Sequence, residues 1–137
     1  EIDLNHDRFN NPKNMIEEIQ AACRESGQPI PKTVGELVMC VYSNLARIYA
    51  RELKQLEDLS GKTIDYLHVV GGGSNVSLLN QLTANLIGKE VIAGPGEATA
   101  IGNILVQMIS VGEFENLSQA RHWLASSSSF ECYRPQI

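Results

Sequence analysis

The sequence predicts a helix-rich α/β fold with two short parallel strands. Residues 64 to 110 alternate two β-branched runs with two amphipathic runs, and glycine marks both junctions where a strand gives way to a helix. A strand, helix, strand order calls for parallel pairing with a right-handed crossover. Everything upstream of residue 60 reads as helix or polar connection. Two strands are too few for a free-standing sheet of this kind, so strands from outside the chain are expected to complete it.

Residues 1 to 12 are polar and turn-like, with Asp3, Asn5, Asp7, Asn10, Asn11 and Pro12, and Phe9 is read as their one large apolar anchor. Asn14 followed by Glu17 has the spacing of a capping box. Met15, Ile16, Ile19, Ala22 and Cys23 then recur at helical intervals until Ser26-Gly27. Pro29 and Pro31 break that helix, since each lacks a donor and crowds the preceding turn. Thr33 with Glu36 offers a second capping box. The long helix it opens carries Val34, Leu37, Val38, Val41, Tyr42, Leu45, Ile48, Tyr49, Leu53 and Leu56 in a three-and-four rhythm up to Ser60-Gly61.

Ile64 to Val70 is short and β-branched and reads as a buried strand. Gly71-Gly72-Gly73-Ser74 turns the chain into a helix bearing Leu78, Leu79, Leu82, Leu86 and Ile87, stopped by Gly88. Glu90 to Ala93 is the second strand and Gly94-Pro95-Gly96 the second turn. Glu97 to about Ser110 is a helix with Ala98, Ile101, Ile104, Leu105, Met108 and Ile109. Asn116 and Gln119 begin a short helix with Leu117, Ala120 and Leu124, after which a serine run and Phe130 to Pro135 read as an extended tail.

The 137 residues, 43% hydrophobic and 20% charged with a net charge of −5, describe one soluble domain or a large piece of one. A chain of this length buries roughly 68% of its unfolded surface, so its core needs no metal or disulfide. The basic residues form no stripe, which argues against nucleic acid as a partner. No apolar run reaches the length that spans a membrane, and the amino end lacks the regions of a signal peptide, so a cytoplasmic protein is expected. Glu1 stands where a natural start would carry Met. A processed or trimmed chain is expected, one that lacks part of its parent's site.

Three glycines between a strand and a helix place unhindered amides beside a helix amino terminus, where a ligand can approach closely. The run is not a phosphate loop, because no Gly-Lys-Ser or Gly-Lys-Thr follows it. It also fits the dinucleotide fingerprint poorly: Gly71 and Gly73 match its first two glycines, but the third falls on Val76. A tight, closely packed turn is the plain alternative. In a parallel sheet both glycine turns lie at the carboxyl ends of the strands, the edge where ligands bind. Glu97 reads as a first-turn acid complementing the helix dipole, not as a base.

His6, His68 and His122 do not cluster, and His68 reads as a packed, hydrogen-bonded core histidine. Cys23, Cys40 and Cys132 lack zinc-site spacing. Cys23 and Cys40 lie on consecutive helices and are read as free buried thiols. A bridge between them is the alternative, closing about 17 residues and adding on the order of 3 kcal/mol.

The run Leu67-His68-Val69-Val70-Gly71-Gly72-Gly73-Ser74, then Leu78-Leu79-Asn80-Gln81-Leu82-Thr83-Ala84, then Ala93-Gly94-Pro95-Gly96-Glu97-Ala98-Thr99-Ala100-Ile101-Gly102-Asn103, closely resembles the carboxy-terminal domain of the FGGY carbohydrate kinases. Phe9, Asn11, Pro12, Met15, Cys23, Gly27-Gln28-Pro29, Pro31, Leu45-Ala46, Tyr49, Tyr133 and Pro135 extend the likeness over nearly the whole chain. The resemblance implies part of a ribonuclease-H-like domain of the actin- and hexokinase-like ATPases, with residues 1 to 137 forming a carboxy-terminal nucleotide-binding fragment. The first strands of that domain and the whole amino-terminal domain would lie upstream.

The branch of the family that the chain resembles most uses ATP and magnesium to phosphorylate L-rhamnulose at O1 in rhamnose catabolism. By the same resemblance the aspartate general base lies upstream of Glu1 and most sugar contacts come from the first domain, so this chain alone is expected to be inactive and to bind no metal itself. Its expected partners are the amino-terminal part of the same kinase and the sugar. Gly71, Gly72, Gly73, Ser74 and Asn75 are the expected nucleotide contacts, Gly72 foremost. Glu97 and Thr99 carry over as positions that pack and cap beside the turn. The family continues its glycine motif with Ser-Gln-Asn where this chain has Ser74-Asn75-Val76, so no polar contact carries over to Val76. Other readings stay open: a kinase of fuculose, xylulose or glycerol, or a non-catalytic dinucleotide-binding module.

Overall fold

The computed structural model describes residues 1–136, which divide into two compact units, Glu1–Lys62 and the residues from Thr63 on. Each unit has its own logic. In the first, α1 (Met15–Glu25) begins at Asn14, whose side-chain oxygen accepts from the amides of Ile16 (3.1 Å) and Glu17 (3.4 Å). α2 (Val34–Ser60) begins with a complete capping box: the Glu36 amide donates to Thr33 Oγ1 (3.2 Å) and the Glu36 carboxylate accepts from the Thr33 amide (2.9 Å). The helix runs 27 residues and stops at Gly61, whose φ of 65° is left-handed.

The core of this unit is Ile2, Ile19, Ala22 and Cys23, with Leu4, Phe9, Leu37, Cys40 and Val41 packed on it. Ile2 was not among the expected anchors, yet it is 3% exposed. It is held by its backbone, which donates to Asn44 Oδ1 at 2.9 Å, while Asn44 Nδ2 donates to the Cys40 carbonyl at 2.7 Å. A buried amide satisfied on both sides thus ties the lead-in to α2. Arg8 makes the second tie. Its guanidinium donates to both oxygens of Glu25 (2.6 and 3.0 Å) and to Glu18 (3.1 Å), and this contact holds the Glu25 carboxyl below the usual carboxylate range. Cys23 and Cys40 are free, with their sulfurs 3.5 Å apart.

The second unit is a sheet of three strands in the order β1, β2, β3, flanked by helices. β1 (Tyr66–Val69) pairs with β2 (Glu90–Ala93) in parallel, Tyr66 opposite Glu90 and Val69 opposite Ala93. α3 (Ser77–Ile87) is the crossover, ended by Gly88 at φ 66°. α4 (Ala98–Ser110) and α5 (Leu117–Ser127) follow, with Asn116 capping α5 through the Gln119 amide. The tail then departs from expectation. Glu131–Tyr133 form β3, antiparallel to β2 with Ala93 opposite Glu131 and Val91 opposite Tyr133. This makes β2 the central strand, and its Val91 and Ala93 are buried. β1 is an edge strand with Tyr66 53% exposed, so it is less enclosed than the buried strand expected at Ile64 to Val70.

Candidate functional site

The two glycine turns meet at the carboxyl ends of β1 and β2. Gly71 has φ 75° and ψ −164°, a conformation side chains strongly disfavour, and its amide donates to the Pro95 carbonyl at 3.0 Å. The Gly94 amide donates to the Val69 carbonyl at 2.9 Å, and the Gly94-Pro95 bond is cis. The turns are therefore fastened to each other by backbone alone.

Gly72–Asn75 form a single 3-10 turn. A Cβ built on Gly72 would meet nothing within 4 Å, so the backbone presents a bare, open face there. Ser74 is different from expectation: it is 6% exposed, and its hydroxyl donates inward to the Gly71 carbonyl at 2.7 Å. Its hydroxyl proton is committed to the turn, leaving only acceptor capacity for a ligand. The turn is also held from below. Asn80 on α3, 1% exposed, donates from Nδ2 to the Ser74 carbonyl at 2.9 Å, while its Oδ1 has no partner among the described residues. Residue-by-residue reading missed this side chain; the signal was a polar residue following the apolar pair Leu78-Leu79 on a helix that packs on the sheet.

Asn75 leans over the second turn. A Cβ on Gly96 would lie 3.0 Å from Asn75 Nδ2 and 3.1 Å from Oδ1, so Gly96 leaves the room that the Asn75 amide occupies. Val76 is the N-cap of α3 and offers no side-chain acceptor to its amides. Glu97 stands at the N-cap of α4, again without a side-chain cap bond, so the capping expected of Glu97 beside this turn is not made.

Between the turns lies a polar pocket of about 270 Å³, whose walls include Asn75, Ser77, Gly96, Ser129 and Glu131. An apolar cleft of about 670 Å³ opens nearby, bordered by Val70, Ala98, Ile101, Leu105, Leu124 and Phe130. His68 also borders it. The hydrogen bond expected of this histidine is present, with Nε2 2.6 Å from the Gly94 carbonyl, and its ring meets Phe130 edge-on at 5.6 Å between centroids. It is not a core residue, because β1 turns it to the open side of the sheet, where it is exposed. Among the described residues no group of three or more His, Cys, Asp or Glu could hold a metal ion. No described helix is long and apolar enough to cross a membrane.

The model of the FGGY family of carbohydrate kinases, C-terminal domain, matches residues 4–111. The chain belongs to this family. FGGY C-terminal domains have the ribonuclease-H-like fold of the actin- and hexokinase-like proteins, and the parallel β1–β2 pair with its crossover helix is one piece of it. Among curated proteins the chain is similar to a rhamnulokinase of Ligilactobacillus salivarius, 53% identical over 135 residues. It is likewise similar to rhamnulokinases of Bacillus subtilis (50% over 135 residues) and Klebsiella pneumoniae strain 342 (44% over 134 residues). Each match covers 98% of the chain and 28% of the relative, so the chain spans about a quarter of the length of the FGGY kinases it matches.

Proposed function

We propose that this chain is the carboxy-terminal nucleotide-binding part of an ATP-dependent rhamnulokinase of rhamnose catabolism. The observation that carries the reading is likeness along 98% of the chain to proteins named rhamnulokinase. In the reaction, the C1 hydroxyl oxygen of L-rhamnulose bonds to the γ-phosphorus of ATP, the bond from that phosphorus to the bridging oxygen breaks, and ADP leaves. The hydroxyl proton passes to an aspartate of the longer polypeptide. Catalysis of this kind rests on positioning and electrostatic stabilisation.

The part played by residues 1–137 is to bind and orient. Gly72, bare on its open side, lets the backbone lie flat against the adenosine; the Gly71 and Ser74 amides are spent within the turns, so the Gly72 and Gly73 amides and the Asn75 side chain are the polar contacts offered. The Gly71–Pro95 bond holds this cradle rigid, which limits the entropy lost when the nucleotide docks. Magnesium, sugar and base are held by the rest of the kinase. ATP and Mg2+ are thus cofactors of the whole, with the adenosine side alone assigned here.

The test is ADP release by the full-length kinase with MgATP and a panel of L-rhamnulose, L-fuculose, xylulose and glycerol. Turnover mainly on rhamnulose is the expected result, with none by residues 1–137 alone. Turnover mainly on another sugar corrects the substrate and keeps the chemistry. Binding of NAD without ADP, and no turnover on any sugar, overturns the kinase reading.

A further inference from the structure

The polar pocket between the glycine turns has a third wall that comes from the tail. β3 pairs with β2 so that Glu131 stands opposite Ala93, the residue at which β2 enters the second turn. Phe130 fixes this placement: its ring edge lies 3.4 Å from the position a Cβ on Gly94 would take, and it packs against His68. Beyond β3 the tail is fastened to α3, where Gln81 donates to the Arg134 carbonyl (2.8 Å) and the Gln136 amide donates to Asn85 (2.8 Å). Ser129 and Glu131 thereby join Asn75, Ser77 and Gly96 in lining the pocket.

The Glu131 carboxylate is oriented within its own strand. The Tyr133 hydroxyl donates to Oε2, and Oε1 makes no hydrogen bond among the described residues. An ionised carboxylate has only acceptor sites, so its natural ligand is a donor, and the vicinal hydroxyls of a ribose present two. A carboxylate at the carboxyl edge of a sheet recognises ribose in this way in the dinucleotide-binding fold, and Glu131 reaches that edge of β2 from an antiparallel strand. A phosphate, itself an acceptor and an anion, is repelled from the same spot.

We infer that Glu131, oriented by Tyr133, contacts the ribose hydroxyls of the nucleotide and that the tail strand is a wall of the nucleotide site. This rests on the reading of the glycine turns as a nucleotide cradle. The remainder of the pocket agrees with it. Asn75, which also lines it, offers both a donor and an acceptor, and about 270 Å³ suits one sugar ring better than a whole nucleotide.

Calorimetric titration of the full-length kinase with ADP, 2′-deoxy-ADP and 3′-deoxy-ADP tests this, for the wild type and for Glu131→Ala and Tyr133→Phe. The wild type is expected to favour ADP over at least one deoxy nucleotide by about tenfold, and Glu131→Ala to lose that preference. Tyr133→Phe keeps the carboxylate and is expected to reduce the preference in part, which gives a second readout if Glu131→Ala folds poorly. ADP binding with no preference, or a preference that survives both substitutions, overturns the role of Glu131 and leaves the cradle intact. A wild type that binds no adenine nucleotide overturns both.

Discussion

Gly94 and Gly96 stand two residues apart, yet the same substitution has different consequences at each. Gly94 has φ 117°, where an L side chain is strained, and Phe130 sits 3.4 Å from the would-be Cβ. Gly94→Ala is therefore expected to cost about 1–3 kcal/mol. At Gly96 the backbone is ordinary, and the obstacle is the far end of the exposed Asn75 side chain. Gly96→Ala is expected to change stability by less than about 1 kcal/mol while displacing Asn75 and weakening ADP binding. Urea melts of both variants beside ADP titrations check the contrast; equal stability losses would refute it.

The thiols offer a second residue-level test. Burial pushes the Cys40 thiol up to about 11, helped by the hydrogen-bonding contact with Cys23. The folded state thus holds this proton more tightly than the unfolded chain does. The associated stability is complete below the ordinary thiol range and is lost as pH rises through about 11. Since the thiolate is the reactive form, iodoacetamide at about pH 8 should modify the exposed Cys132 and spare Cys40, whose rate climbs with further alkali. Peptide mass mapping reads this out, and equal labelling of the two at that pH contradicts it.

Among the elements, two helix starts differ in an instructive way. α2 is capped reciprocally by Thr33 and Glu36, and the Glu36 carboxyl is held below its usual range because it accepts from the backbone amides of Lys32 and Thr33. Its contribution is present above the ordinary carboxylate range and fades as pH falls through its lowered value. Thr33→Ala should cost about 1 kcal/mol at neutral pH. Glu36→Gln should flatten the acid side of the stability profile of this unit, which urea midpoints across acid pH would register. α3 has the reverse problem, since Val76 leaves its first amides without a side-chain acceptor. Val76→Asn should add about 1 kcal/mol, and no gain in the urea midpoint would argue that the amides already have good partners.

At the scale of the molecule, the sheet ends at β1 with no further strand paired to it among the described residues. β1 is an edge strand with Tyr66 exposed and parallel pairing on one side only, a surface that invites pairing with another chain. Residues 1–137 on their own are expected to self-associate with rising concentration, and Tyr66→Lys, which places a charge on the edge, to suppress this. Sedimentation velocity over a concentration series checks it. An unchanged distribution for Tyr66→Lys would show that association runs through another surface.

The elements of this fold were legible because their signals are local. Capping residues, three-and-four spacing and left-handed glycines marked α1 to α5, and two β-branched runs marked β1 and β2 close to their observed bounds. The glycine turns were legible for the same reason, since a conformation that only glycine tolerates leaves its mark in sequence. What the tertiary structure alone decided was long-range. Glu131–Tyr133 carry no strand signal of their own, and they become β3 only because β2 offers an unpaired side 40 residues upstream in the pairing of Val91–Ala93 with them. Ile2 is buried because Asn44, 42 residues away, satisfies its amide. Ser74 turned inward and His68 outward for a related reason: which partner a polar side chain finds depends on packing between segments, and no spacing rule along the chain encodes it.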